Sequence, residues 1–476
     1  MANRELEKYE FLQRLDVTCD LFAGMCSHGW FTPKELFANI DTLFDDIVKE
    51  HGHDREYLKS VVDNVHPELA EALLKPKHDM DVVRFGKALK GYTTALNDHL
   101  AAGKPVVYSF PTLTSEIWYA MDIVPLHFEL LSGLLSGVYI TGVEAEADAA
   151  AKEGFGDHIC GFTKGPIKSI EMGLLPKPDI LCKNGSPCDA SNLNYVYAAD
   201  LHNCPLLVLD SPYYSDDRAL EYYTENIKEM IVRVEKITGH KMDEDRLRHH
   251  VDISNRQLKY YYAIQDLRKE KPCPDPGTLR FLDFGSLAIC GHSEKVVDYC
   301  KGRYDRVKAR VDKGETFLPA GKKEIRTLWS WGWIANMFYL PDWLEEQFGS
   351  TYMECQLSYM PGDVVGYVDT TNIETMINGL AWRSLNFCMH KTAMSYSDIW
   401  VNDFVSIAQA YKADVALFGG NRACKHAWSL SKILSDVLLE KCDIPSFIWE
   451  HDVCDKRYTS HKATKAMLTE FFNSIA

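Results

Sequence analysis

The sequence predicts an α/β protein of two lobes, each built on a parallel sheet and facing a central cleft, with a helical extension in front. Three observations predict it. Two segments, Pro178–Asp210 and Ala413–Glu450, share one pattern: acidic residue, apolar strand, Gly-containing loop, Cys, helix, Pro, second apolar strand. That pattern is a βαβ unit, and the chain carries it twice. Residues 1–103 read as helical. The 476 residues exceed what one hydrophobic core usually serves, so two or three domains are expected.

In order, the expected organisation is a helical N-terminal extension over 1–103, a first α/β lobe with long helices over 104–275, a helical connector over 276–323 and a second α/β lobe over 324–476. In the extension, Thr32-Pro33-Lys34-Glu35 is a capping box with Pro at the first helical position. It opens a helix with Leu36, Ile40, Leu43, Phe44 and Ile47 on one face. A further helix runs from about Met80 to Gly103. The first lobe begins with a short strand over 105–110 and continues through Ile123–Leu126, the strand before Cys188 and Leu206–Leu209. Asp217 to Gly239 is a long amphipathic helix, with charged helical text to Glu270. Lys271-Pro272-Cys273-Pro274-Asp275-Pro276-Gly277 reads as a linker or break. More helix follows to about Lys313. Strands are expected over 325–331, near Tyr352–Leu357, at Val415–Phe418 and at Ser446–Trp449, before a last helix from about Ser460.

Composition excludes several classes. Hydrophobic content of 46% and charged content of 25% suit a globular chain. A formal net charge of −16 argues against nucleic acid or an anionic membrane as partner, since either requires a basic face. No apolar run approaches the roughly 20 residues of a membrane span. The opening MANRELEKYEF is charged and lacks a signal-peptide core, so a cytoplasmic location is expected. In that compartment disulfides are not expected among the 14 cysteines. Cys19, Cys26, Cys204, Cys290, Cys300, Cys355, Cys388 and Cys442 read as small core residues. No CxxC occurs, which excludes a zinc ribbon and a ferredoxin-type run. Any metal site must draw ligands from distant segments.

Cys160, Cys188 and Cys424 are set apart by position, each where a strand or loop gives way to a helix. A helix N-terminus lowers a thiol pKa and favours the metal-binding thiolate or an anionic cluster. The spacing alone leaves three readings: an iron–sulfur site, buried core cysteines, or a nucleophilic thiol served by His158 or His426. Lys164, Lys168, Arg422 and Lys425 place positive charge beside these cysteines, either to attract an anionic substrate such as a coenzyme A thioester or as solvated loop charge. A dinucleotide-binding fingerprint is absent. The run Trp329-Ser330-Trp331-Gly332-Trp333 either packs or lines a pocket.

Several motifs resemble the 2-hydroxyacyl-CoA dehydratase / benzoyl-CoA reductase family over about residue 104 to the C-terminus. Asn421-Arg422-Ala423-Cys424-Lys425 is similar to its N-R-S-C-K, and Asp452-Val453-Cys454-Asp455-Lys456-Arg457-Tyr458 to its D-x-x-D-P-R-F/Y. Gly379-Leu380-Ala381-Trp382-Arg383 resembles G-V-A-W-R of the dehydratase branch, and Asp157–Phe162 resembles D-I-C-G/A-Y. Pro178–Cys188 with Pro205–Tyr213 resembles the strand, cysteine loop and I-P-L-I-M-I-D-x-P-Y.

The resemblance implies two flavodoxin- or Rossmann-like lobes and a 4Fe-4S cluster held at their interface by Cys160, Cys188 and Cys424, with one iron open to a substrate oxygen. It implies a heterodimer with a second homologous subunit, a CoA-thioester substrate and an ATP-hydrolysing iron–sulfur activator that delivers one electron under anaerobic conditions. The implied reaction is reductive radical dehydration. The thioester carbonyl becomes a ketyl radical anion and expels the neighbouring hydroxyl; loss of the β-proton and return of the electron give the enoyl-CoA. Glu129 aligns with a family glutamate near the cluster, implied to orient the substrate hydroxyl or exchange its proton. The family often has Ser or Cys in the first-strand loop. Pro111 stands there in this chain, with Ser109 and Thr112 beside it, which makes Ser109 the candidate polar contact. Lys164, Arg422 and Lys425 are the candidate substrate-binding cations. The alternatives are a benzoyl-CoA reductase-type ring or enoyl reductase and a non-catalytic scaffold subunit.

Overall fold

The computed structural model describes residues 5–475 except 31, 112–113, 186–187, 214–215, 289–292, 331–333, 388–389, 392–396 and the side chain of residue 33. Thr112, Cys290, Cys388, Trp331 and Trp333 therefore lie outside the described residues. Two four-stranded sheets organise the chain. The first comprises β1 (Val107–Ser109), β2 (Pro125–Leu126), β3 (Ile180–Asn184) and β4 (Leu206–Leu209), in the order β2-β1-β3-β4. The second comprises β5 (Ile325–Ser330), β6 (Ser350–Cys355), β7 (Val415–Asn421) and β8 (Ser446–His451), in the order β6-β5-β7-β8. All pairings are parallel. Both sheets thus have the 2-1-3-4 order of flavodoxin-like folds, with a switch point between their two central strands. The two lobes of the sequence reading are present, and the repeated units are β3–helix–β4 and β7–helix–β8.

Central strands β3 and β7 are buried along their whole length, as parallel strands covered on both faces must be. Their apolar text, Ile-Leu-Cys and Val-Ala-Leu-Phe, supplies that burial. Around the sheets, the helix Glu10–His28 packs on Asp81–Ala101, which in turn packs on Gly277–Ala288 and Glu294–Lys313. Asp217–Thr238 packs on Ile373–Leu385 of the second lobe, and Gly239 ends it at φ +76°.

Two expectations need correction. The helix opened by Thr32 is two helices, Pro33–Ala38 and Ile40–His51. Thr32 does cap Glu35 as expected. The break comes at Asn39, whose side-chain Nδ2 donates to the Glu35 carbonyl at 2.8 Å, the acceptor its own N–H would use in a continuous helix. Second, Cys26, Cys204 and Cys442 are only half-buried; Cys19, Cys300 and Cys355 are in the core as read.

The 271–277 segment is a break between helices, as expected, yet it is firmly held. Asp275 is fully buried, with Arg268 and Arg303 on its carboxylate, and Arg303 also reaches Asp283 at 2.8 Å. Arg280 meets Glu354 at 2.7 Å in the same region. Trp329 is buried and its ring packs near Tyr352 and Trp449, the packing alternative for that one residue of the run. Among the described residues, no helix is long and apolar enough to cross a membrane.

Candidate functional site

Cys160, Cys188 and Cys424 are each the N-cap of a helix: Gly161–Ser169, Asp189–His202 and Lys425–Cys442. Two of these helices follow the carboxyl ends of β3 and β7, where ligands bind in open α/β sheets. All three cysteines line one cavity of about 190 Å³ between the lobes. The cavity also takes Phe110 and Pro111 from the end of β1, Glu129 from the next helix, and Asn421 and Val453 from the second lobe.

The lobes are tied together at Cys160. Asn421 at the end of β7 donates from Nδ2 to the Cys160 Sγ at 2.9 Å. Asp452, just after β8, accepts from the Gly161 N–H at 3.2 Å and from the Cys454 and Asp455 N–H groups at 2.9 and 2.8 Å. Residue 161 has to be glycine, because a Cβ there would lie 2.2 Å from the Asp452 Oδ1. A third tie is the exposed Lys425–Asp189 ion pair at 3.0 Å.

Glu129 sits in the first turn of the helix Phe128–Val138 and is buried. Ser191 Oγ donates to its Oε2 at 2.9 Å and Asn194 Nδ2 to its Oε1 at 3.1 Å. Ser191 and Asn194 are three residues apart on one face of the helix that Cys188 caps. Burial pushes the Glu129 carboxyl above its ordinary range, against the lowering pull of the Asn194 hydrogen bond.

Burial raises all three thiols above their ordinary range in spite of the helix N-termini. It pushes Cys424 up to about 12, although the Ala427 N–H on its Sγ pulls the other way. Cys160 is raised further, by burial and then by the Asp452 carboxylate. Cys188 is raised by burial in spite of Lys183. Thiolate here needs a cationic partner to offset desolvation.

Of the candidate cations, only Lys425 lines the cavity. Lys164 is buried and points to Asp157, 3.2 Å away, outside the cavity lining. Arg422 is exposed, lies 3.5 Å from Glu450 and stacks on the Tyr458 ring at 4.6 Å. Lys168 is tied to Glu153 at 2.8 Å and to Glu171. Ser109 is also off the cavity: it is fully buried and its Oγ accepts from the Trp118 indole N–H at 2.9 Å. His158 lines the cavity on its exposed side, whereas His426 does not line it.

The donor set bears on what the site can hold. Among the described residues, the group of three ligating side chains whose donor atoms all lie within 4.8 Å of one another is Asp16, Asp20 and His53, and there Lys90 fills the centre at 2.7 and 2.8 Å from the two carboxylates. The cysteine triad is spaced more widely than that. One tetrahedral ion with metal–sulfur bonds of about 2.3 Å would draw its thiolates closer together. A polynuclear cluster spreads its ligands, because each binds a different metal atom.

Reading the sequence missed the groups that hold these residues in place: Asn421 as a donor to Cys160, Asp452 as the acceptor for Gly161, and Ser191 with Asn194 on Glu129. The last pair leaves a signal, polar residues at i and i+3 in a helix otherwise packed on a sheet. The first two open the N-R-A-C-K and D-V-C-D-K-R-Y motifs, but the motifs did not disclose their partners, which are 261 and 291 residues away.

Comparison with known proteins adds the following. Residues 112–475 match the family model described as 2-hydroxyglutaryl-CoA dehydratase, D-component. The chain is 26% identical over 183 residues to the (R)-phenyllactyl-CoA dehydratase alpha subunit of Clostridium sporogenes, covering 36% of this chain and 44% of that one. It is 28% identical over 242 residues to the alpha subunit of (R)-2-hydroxyglutaryl-CoA dehydratase of Acidaminococcus fermentans, covering 44% and 46%. It is 22% identical over 358 residues to a subunit of the benzoyl-CoA reductase of Thauera aromatica, covering 68% and 78%. The first two matches span less than half the length of those relatives.

Proposed function

The chain belongs to the 2-hydroxyglutaryl-CoA dehydratase D-component family, and from that premise we propose that it is the iron–sulfur subunit of an enzyme that removes water from a 2-hydroxyacyl-CoA. One observation carries the reading: cysteine N-caps from both lobes and a buried carboxyl line a single cavity. The proposed ligands of a 4Fe-4S cluster are Cys160, Cys188 and Cys424. Their wide spacing, and the lack of a fourth cysteine in the cavity lining among the described residues, suit a cluster with one iron left to the substrate. When bound, the cluster supplies one-electron transfer and a Lewis-acidic iron.

The chain's own residues do the rest. Asn421 holds the Cys160 sulfur from the second lobe, and Asp452 fixes the backbone behind it. Apolar side chains wall the cavity and exclude water from a reactive intermediate. Glu129, with both oxygens held, faces the substrate hydroxyl. Burial favours its protonated form, the form able to give a proton to a departing hydroxyl. Lys425 meets the anionic part of the thioester at the cavity edge. A second homologous subunit and an ATP-hydrolysing activator complete the proposal; the matched relatives are themselves named as subunits.

A reductase reading is favoured by the 68% of the chain that aligns with a benzoyl-CoA reductase component. One assay separates the two. The anaerobic complex, reduced by its activator with ATP, is given 2-hydroxyacyl-CoA thioesters and aromatic acyl-CoA, and products are followed by mass. Loss of one water supports dehydration. Gain of two hydrogens without loss of water supports reduction. No turnover by a cluster-loaded complex contradicts both.

A further inference from the structure

The cavity that the three cysteines share is a poor place for a second charge. Away from the thiols, its walls are Phe110, Leu130, Phe162, Leu193, Phe284 and Leu357. Besides the thiols, the ionisable groups that line it are Glu129, His158, Asp189 and Lys425; His158 and Lys425 are exposed, and Lys425 is paired with Asp189 at 3.0 Å. Two other lysines are near in sequence to the site but do not line it. Lys164 points to Asp157. Lys183 has its Nζ 4.4 Å from the Phe110 ring centroid and donates to the Asn184 carbonyl at 2.9 Å. An anionic acyl end deep in this cavity would be stripped of water beside the Glu129 carboxyl, with no buried Lys or Arg in the lining, among the described residues, to meet it.

A second, apolar cavity lies on the other side of the wall. Leu130 also lines this cavity of about 370 Å³, enclosed by the N-terminal helices and the helices Phe128–Val138 and Gly277–Ala288. Leu15, Phe22, Leu89, Leu134 and Phe281 are typical of its lining. One leucine side chain is thus common to the cysteine cavity and an apolar space behind it.

We propose that the acyl group this site takes is uncharged and apolar, an alkyl or aryl 2-hydroxyacyl thioester rather than a dicarboxylic one. The proposal rests on the thioester reading above and narrows it. Leu130, Leu193 and Phe284 are its specificity-determining residues, and Leu130 sets the depth of the acyl pocket.

The test is anaerobic binding to the intact complex, by calorimetry, of CoA, lactoyl-CoA, phenyllactyl-CoA and 2-hydroxyglutaryl-CoA. Phenyllactyl-CoA is expected to bind at least about tenfold more tightly than both CoA and 2-hydroxyglutaryl-CoA. Equal or tighter binding of 2-hydroxyglutaryl-CoA would overturn the proposal, as would a set of thioesters that bind no better than CoA. Leu193 is 43% exposed, so Leu193→Arg is tolerated by the fold and places a cation at the wall. That variant is expected to raise 2-hydroxyglutaryl-CoA affinity relative to phenyllactyl-CoA by about tenfold; an unchanged ratio would remove Leu193 from the acyl pocket and overturn the assignment. Failure here is distinct from failure of the broader reading. A complex that dehydrates 2-hydroxyglutaryl-CoA efficiently keeps the dehydratase function and overturns the apolar pocket. Selective phenyllactyl-CoA binding without any turnover keeps the pocket and overturns the dehydratase.

Discussion

The two lobes share one scaffold and divide its chemistry unequally. Both sheets run 2-1-3-4, and in each the βαβ unit beside the switch point ends its strand in a cysteine that caps the next helix. The first lobe adds to this a third cysteine, Cys160, and the buried Glu129. Among the described residues, the second lobe adds no further cavity thiol or carboxylate. It adds Asn421 and Asp452, which reach across to the Cys160 sulfur and the Gly161 amide. The first lobe thus brings two thiols and a buried carboxyl to the cavity, and the second brings one thiol and the two side chains that hold Cys160 and Gly161. Glu129 shows how local the difference is: Ser191 and Asn194 hold it from the Cys188 helix, whereas the matching turn of the Cys424 helix presents Ala427 and Leu430 at the same offsets.

The strongest way to break the comparison is to remove a thiol from each lobe. Cys188→Ser and Cys424→Ser are each expected to cut bound iron and reduce turnover to background while circular dichroism stays native. If iron is unchanged in either variant, that residue leaves the ligand set and the symmetry between the lobes fails. Next in size is Glu129→Gln, expected to retain iron and slow turnover by about 10²–10⁴-fold, the usual range for a proton-transfer group. A full-rate variant would make the first lobe no richer in chemistry than the second.

The positioning role of the second lobe is read from stability. Asp452→Ala leaves three N–H groups without their acceptor and is expected to cost roughly 2–4 kcal/mol in urea unfolding. Asp189→Ala breaks the exposed interlobe pair with Lys425 and is expected to cost about 0–1 kcal/mol. Equal effects would mean that the contact at Gly161 is no more than a surface tie.

The smallest expected effect is on pH dependence. Burial holds the Glu129 carboxyl above its ordinary 4.5, so the folded chain keeps this proton more tightly than the unfolded chain does. Its contribution to stability is full below pH 4.5 and is lost as pH rises through the folded value. Glu129→Gln removes that slope. Urea midpoints followed upward from pH 4.5 should therefore fall less steeply in the variant than in the wild type. Parallel curves would contradict the burial argument.

What the sequence disclosed follows from range. The strand positions, the Asp217–Gly239 helix and the repeated units are set by periodicity and turn chemistry within some thirty residues, and they stand in the structure close to where they were read. The helix break at Asn39 was missed because it depends on a side-chain hydrogen bond that the hydrophobic pattern does not record. The convergence of Cys188 and Cys424 was legible from position, because strand ends in such sheets gather on one side; Cys160 was legible only as a loop residue leading into a helix. Their electrostatics were not: the helix N-termini were visible in the text, but the burial that raises these thiols depends on tertiary surroundings the text does not show. Ser109 misled for a related reason. Its place at the end of β1 points to the cleft, while the side chain turns inward to Trp118.

The most direct test of the central claim is the iron and acid-labile sulfide bound per chain after strictly anaerobic purification. About four of each is predicted for a cluster held by the three cysteine N-caps. A folded, never-oxidised chain that binds neither would contradict it and return Cys160, Cys188 and Cys424 to the core.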